Sequence, residues 1–421
     1  MLLSLVALFA VLGAPIFALF AALALTLYHA SGLDLALVIG ELSRLATMPL
    51  LQTLPMFALA GYVLARSRAS ERLLRVSRAA LGWLPGGMAI VALVTSLFLT
   101  AFTGATGVTI VALGGLLLPA LLEDRYGERF SLGMVTSGGC MGVLFVPSLP
   151  LILYAVVVNP ISSLVTIDKL FLAAALPGVV SLLLLGGYCS AFALRTHIPR
   201  QRFSWRELGH ALWAARWEVP LPFVVLGGVY SGKLVVSEAA VITAAYAMIV
   251  EMFIYREIRL RDMAGVMRES MLLVGGVLII LGMGMAMTNY MVDQDVPTRL
   301  LAAVRAHISS PFTFLLILNF FLLIVGCLMD IYTATIVVVP LIVPMALEYH
   351  INPIHLGVIF LANLGIGYIT PPVGMNLFIA AIRFDKSIVT LYRASLPFLL
   401  VMLVVLVIIT YVPALSLCLL R

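Results

Sequence analysis

Apolar runs close to the ~20 residues of a membrane helix recur along this chain, separated by short polar segments rich in arginine. The pattern predicts helices over residues 2–28 and 48–65, with a short loop carrying Asp34, Glu41 and Arg44 between them. Over 66–83, Arg66, Arg68, Arg72, Arg75 and Arg78 alternate with apolar positions, as in a helix lying on a membrane surface. Two apolar arms follow at 88–102 and 108–122, then an interrupted helix over 130–158, broken at 145–150, and a helix over 170–194. An arginine-rich linker leads to helices over 219–231, 237–255 and 271–291 and to a second surface helix over 292–307. The remainder is two more arms at 311–326 and 332–347, an interrupted run over 354–382 and a last helix over 389–412.

The interrupted runs are the informative ones. Between residues 361 and 378, Asn363, Gly365, Gly367, Thr370, Pro371, Pro372 and Gly374 crowd into twelve positions. Proline removes an amide donor and clashes with the preceding turn, so two in succession break a helix. Lipid offers the freed carbonyls no partner, so such a break belongs where protein or a cavity surrounds it. Transporters use these breaks to hold ions and substrates; the bland alternative is a proline kink in an ordinary helix.

The arms carry a similar argument. Arms of 15 residues reach about 22 Å, short of the roughly 30 Å hydrocarbon core. Basic segments on both flanks of the first pair suggest a re-entrant hairpin (86–122), the alternative being two thin spanning helices. A second hairpin is expected at 311–347. The order helix, helix, surface helix, hairpin, broken helix, helix then occurs twice, as residues 1–194 and 232–421, with the linker and fifth helix (195–231) between. The extra crossing inverts the second half. The predicted fold is an all-α polytopic membrane protein, an inverted-topology repeat of the elevator-type ion transporter class with two re-entrant hairpins and two broken helices.

Composition agrees: 63% of residues are hydrophobic and 10% charged, with a mean hydropathy of +1.16. The net charge of +6 is no sign of nucleic acid, because 19 of the 25 Lys and Arg fall in the segments this topology makes cytoplasmic. That imbalance places the N-terminus in the cytoplasm and the C-terminus in the periplasm. Residues 1–28 lack the basic start of a signal peptide and read as a membrane helix. Cys140, Cys189, Cys327 and Cys418 lie in apolar runs without metal-ligand spacing.

Hairpin tips and breaks should meet near the membrane centre, where carbonyls and small hydroxyls suit a hard cation such as Na⁺ and half-helix N-termini attract anions. The first set is Gly104, Thr106, Gly107 and Thr109 facing Val146, Pro147 and Ser148. The second is Asp330, Thr333 and Thr335 facing Asn363, Gly367, Thr370, Pro371 and Gly374. Asp330 is the one carboxylate expected deep in an apolar region, either as an ion ligand or as a helix cap. Glu238 reads as a cap, His355 as an interfacial histidine, and Met283, Met285 and Met287 as packing.

On FTGATG (102–107) with the following PALL, VPSLPLILY (146–154), SEAAVITAAYA (237–247), LMD (328–330), PLIVP (340–344), residues 352–378 and the N-terminal GAPIFALF, the chain resembles the large membrane subunit of the tripartite ATP-independent periplasmic (TRAP) transporters. It departs from the pattern at Ala105, where the family has Ser, and at Val235 and Val236, where it usually has Pro and Thr. The resemblance implies a bacterial inner-membrane, Na⁺-coupled importer of small organic anions, carboxylates or sulfonates. It implies a separate small four-helix membrane subunit, a periplasmic binding protein and an elevator motion, with Na⁺ as coupling ion and no prosthetic group. The competing expectation is a stand-alone sodium–carboxylate symporter of similar architecture. An intramembrane protease is disfavoured: one membrane carboxylate is too few for an aspartyl type, and His-Glu-x-x-His and Gly-x-Ser-Gly are absent.

Overall fold

A computed structural model describes the chain except residues 1–8, 10, 11, 13, 47, 48, 200, 201, 232, 297, 298, 300, 301, 303, 304, 306, 309 and 421. The described part is helical. Among its residues, seven helices are long and apolar enough to cross a membrane, and an eighth candidate is the pair Glu128–Leu144 and Leu149–Val158, bent by 41°.

The first hairpin consists of Gly87–Thr103 and Thr106–Glu123, the second of Pro311–Leu328 and Ile331–Glu348. Their arms have 17 or 18 residues, longer than the polar boundaries suggested, because the helices run on through Gly87, Thr103 and Glu123 to the flanking turns. Arm length alone therefore does not separate a re-entrant hairpin from a spanning pair. Both interrupted helices are broken. The first stops at Ser137, continues as a tight 3₁₀ turn (Cys140–Leu144) and resumes at Leu149, where the Ser148 side chain caps the new helix. The second runs Pro353–Gly367 and resumes at Met375–Phe384. Pro353 opens it at a position where a missing amide costs nothing.

Each half of the chain completes the other. The second arm of the first hairpin packs on Met375–Phe384, and the second arm of the second hairpin packs on Leu149–Val158. The first hairpin's Gly87–Thr103 covers the 3₁₀ turn of the first broken helix, while Pro311–Leu328 covers Pro353–Gly367. At that last interface, a Cβ on Gly367 would lie 2.4 Å from the Gly326 carbonyl carbon, so only glycine permits the approach. The helix Thr53–Arg66 packs on both Val236–Ile249 and Leu260–Asp293, and this wall abuts the hairpins, Thr53–Arg66 against Gly87–Thr103 and Leu260–Asp293 against Ile331–Glu348.

Several boundaries differ from expectation. The loop after the first helix contains a helix, Ala36–Ala46, and the linker contains another, Trp205–Ala214, capped by Ser204. The helix expected from residue 271 starts at Leu260, since Met263, Val266 and Ser270 give its first turns a buried face while Arg261, Asp262 and Arg268 stay exposed. The helix expected to end at 255 leaves α-helical geometry at Val250 and closes in a wider π turn, Val250–Ile254. Within the expected surface helix over 292–307, residues 297, 298, 300, 301, 303, 304 and 306 lie outside the described residues, as do most of residues 2–15.

Candidate functional site

The tip of the first hairpin is Gly104–Ala105. Gly104 has φ +66°, and a Cβ there would meet the Tyr332 hydroxyl at 2.7 Å. Ala105 has no side-chain oxygen, so the helix beginning at Thr106 starts without a side-chain cap. At the second tip the Asp330 Oδ1 accepts the Tyr332 and Thr333 amides, each at 3.0 Å. The capping role foreseen for Asp330 is thus present, and it leaves Oδ2 free for a further partner.

The tips meet. Tyr332 donates through its hydroxyl to the Gly104 carbonyl at 2.9 Å, joining the two hairpins, and the Ile331 amide donates to the Tyr368 hydroxyl at 2.7 Å, joining the second hairpin to the second break. That break is tied to the same hairpin by the Gly374 amide, which donates to the Cys327 carbonyl at 3.1 Å. The Thr106 hydroxyl donates to Asn376 Oδ1 at 2.7 Å, and Asn376 Nδ2 reaches Cys140 Sγ at 3.3 Å. Fully buried Asn376 therefore ties the first hairpin to both broken helices.

Beside these tips lies a cavity of about 780 Å³. It is lined by Gly104, Ala105, Thr106, Gly107 and Val108 of the first hairpin, by Asp330, Tyr332, Tyr368 and Met375 of the second hairpin and second break, and by Tyr62, Arg66, Glu269 and Leu273 of the helical wall. Of the residues singled out from sequence, Gly104, Thr106, Gly107 and Asp330 line it. Thr333 is buried directly beneath the Asp330 cap. Pro147 and Ser148 stand elsewhere: the Ser148 hydroxyl donates to the Val143 carbonyl at 2.6 Å, and neighbouring Val146 lines a different, largely apolar cavity of about 410 Å³. Gly367 is spent on helix packing, and the Thr370 hydroxyl returns to the Ile366 carbonyl at 2.9 Å. Pro371 is exposed at the outer edge of the break, and Gly374 turns the chain at φ +47°. Asn363 lies within the intact helix, where its Nδ2 donates to Asn319 Oδ1 at 2.7 Å; Asn319 Nδ2 in turn donates to Thr410 Oγ1 at 3.0 Å.

Two sequence expectations need correction. His355 is buried, not interfacial, with Nε2 3.3 Å from the Thr410 carbonyl, because the last helix folds back over the start of the broken one. Asp330 is not the most buried carboxylate. Glu218 and Glu251 are buried around Arg72, which contacts both and Glu257 besides. Arg72 also lies 3.9 Å from the Tyr255 ring centre. Burial disfavours its charge, but the hydrogen bond to Glu257 and the charges of Glu218 and Glu251 outweigh that and hold its pKa above the ordinary value. Sequence reasoning also missed Asn376 and the tyrosines. An asparagine opening a half-helix, a tyrosine just after the second tip and another at the second break were the available signals.

Among the described residues, a bundle of apolar helices, interrupted twice and holding a cavity at two hairpin tips, is the architecture of a membrane transport protein. The fold is shared with the YdaH transporter of Alcanivorax borkumensis (TM-score 0.60, 16% identity, 89% of this chain and 86% of that one) and with MtrF of Neisseria gonorrhoeae, described among antimetabolite efflux pumps (0.62, 14%, 90% and 83%). Residues 2–415 match the family model of the tripartite ATP-independent periplasmic transporter, DctM component, and the chain belongs to that family. It is 33% identical over 370 residues to the C4-dicarboxylate TRAP transporter large permease protein DctM of Pseudomonas aeruginosa, covering 88% of this chain and 86% of that one. It is also 33% identical over 415 residues to the isethionate TRAP transporter permease protein DctMQ of Oleidesulfovibrio alaskensis, covering 97% of this chain but only 64% of the relative.

Proposed function

We propose that this chain is the transport subunit of a Na⁺-coupled importer of small organic anions in the bacterial inner membrane. A periplasmic binding protein delivers the anion, and a separate small membrane subunit completes the complex. The observation that carries this reading is the meeting of both hairpin tips and the second break on one cavity. Asp330 brings a carboxylate oxygen not used by its cap, a ligand suited to a hard cation. The uncapped start of the Thr106 helix brings amides and the positive end of the helix dipole, suited to an anion. Relatives named for C4-dicarboxylates and isethionate point to carboxylates and sulfonates as cargo. The reciprocal packing of hairpins on broken helices supports an inverted repeat, in which the hairpin assembly moves as a body against the wall of Thr53–Arg66, Val236–Ile249 and Leu260–Asp293. The N-terminus is then cytoplasmic and the C-terminus periplasmic.

The test is uptake of succinate and isethionate into proteoliposomes holding this chain and its small subunit, with the binding protein outside. Uptake driven by an inward Na⁺ gradient and abolished without the binding protein is expected. Uptake indifferent to Na⁺ overturns the coupling, and equal uptake without the binding protein favours the stand-alone symporter.

The two roles of Asp330 separate in the same assay. Asn is as good a cap as Asp, so Asp330→Asn keeps the fold and loses Na⁺-driven uptake. Asp330→Ala adds the loss of the cap, about 1 kcal/mol, visible as a lower melting temperature. Uptake by Asp330→Asn at wild-type rate and Na⁺ dependence leaves Asp330 a cap alone.

A further inference from the structure

The cavity's charges are set oddly for an anion carrier. Among its lining side chains are two carboxylates, Glu269 and Asp330, and one cation, Arg66. Arg66 ends the helix Thr53–Arg66, and Glu269 projects from Leu260–Asp293, so both stand on the wall rather than on the hairpins. The guanidinium Nη2 lies 3.6 Å from Glu269 Oε1, with the two side chains 64% and 47% exposed. A long, solvated pair of this kind contributes little, so exchanging its partner costs little. Arg72, six residues on, shows what a structural arginine looks like in this fold: buried and held by three carboxylates.

We propose that Arg66 and Glu269 form a charge-exchange gate at the cavity. The Arg66 guanidinium leaves Glu269 for the carboxylate or sulfonate of the passing anion, and Glu269 takes it back as the anion departs. The planar fork of arginine fits either oxyanion through two parallel hydrogen bonds, a geometry that lysine cannot match. Glu269 sets the strength of the grip: it competes for Arg66 and repels the anion, so release needs no further event. The amides at Thr106–Val108 face the anion from the other side of the cavity. The gate rests on the organic-anion reading above and adds to it a specificity-determining pair on the wall.

A strut and a gate differ in the sign of the Glu269 effect. The chain purified with its small membrane subunit in nanodiscs, at saturating Na⁺, is titrated with succinate and with isethionate, and the apparent Kd is read from thermal stabilisation. Arg66→Gln should weaken both about tenfold or more, the scale of a lost hydrogen bond to a charged group. Arg66→Lys should recover part of the loss. Glu269→Gln should tighten both about two- to fivefold by freeing Arg66 from a weak competitor. The Na⁺ concentration for half-maximal stabilisation should stay unchanged in all three. If Arg66→Gln and Glu269→Gln shift affinity in the same direction, or neither shifts it, the pair is a strut and the gate is wrong. If the wild-type chain binds neither probe, the organic-anion reading itself fails and the gate falls with it.

Discussion

Replacing Arg72 with methionine is expected to be the most damaging single substitution outside the cavity. Among the described residues its guanidinium is the one counter-charge paired with Glu218 and Glu251, which are buried, and with partly buried Glu257. It also fastens the surface helix Ala69–Leu81 to the chain around residues 218 and 251–257, a link doubled by the Arg68 amide donating to Glu257 at 2.7 Å. Breaking a buried ion pair from one side typically costs about 3–5 kcal/mol, because the partner charge is left uncompensated. Arg72→Met should therefore lower the melting temperature sharply in detergent and reduce the folded yield. Adding Glu251→Gln to it removes one stranded charge and should recover part of the loss. A melting temperature within a degree or two of wild type for Arg72→Met would show the cluster to be dispensable.

Much of this fold was legible in the sequence because membrane helices announce themselves by run length, and breaks by proline and glycine. Pro147, Pro371 and Pro372 located both interruptions, and TGATG and LMD located both hairpin tips. The site was legible only where backbone chemistry defines it. Gly104, Thr106, Gly107 and Asp330 line the cavity, since tips and caps follow from local rules. Asn363 and Ser148 were less readable, because a buried polar side chain can serve packing as well as a ligand. Nothing local tells that Asn363 would find Asn319, 44 residues away. The Arg72 cluster was invisible for the same reason: its carboxylates are 146 to 185 residues distant in the chain, and Arg72 sits in a segment that reads as a solvated face. Length arguments failed at helix ends, where exposed polar residues such as Arg261, Asp262 and Arg268 share a helix whose other face is buried.

The second large effect concerns the break itself. Between Gly367 and Met375 the chain gives up its helix, and the Tyr368 carbonyl accepts from the Asn376 amide at 3.0 Å instead. That detour brings Tyr368 to the Ile331 amide and Met375 to the cavity wall. Changing Pro371 and Pro372 to alanine restores two amide donors and removes two ring clashes, each worth roughly 3 kcal/mol or more in a helix interior. The segment should then close towards a continuous helix. The chain would still insert, but Tyr368 and Gly374 would be drawn off the second hairpin, and the proposed Na⁺ site with them.

Na⁺-dependent thermal stabilisation of this double variant against wild type, with K⁺ as control, is the direct measurement. A ligand bound only to the folded state adds about 2.7 kcal/mol at a hundredfold its Kd, so wild type should show a clear, Na⁺-specific rise in melting temperature. The double variant should insert, remain folded and show none. Stabilisation of the double variant at wild-type strength would mean that the broken helix does not build the ion site, and would contradict the account at its centre.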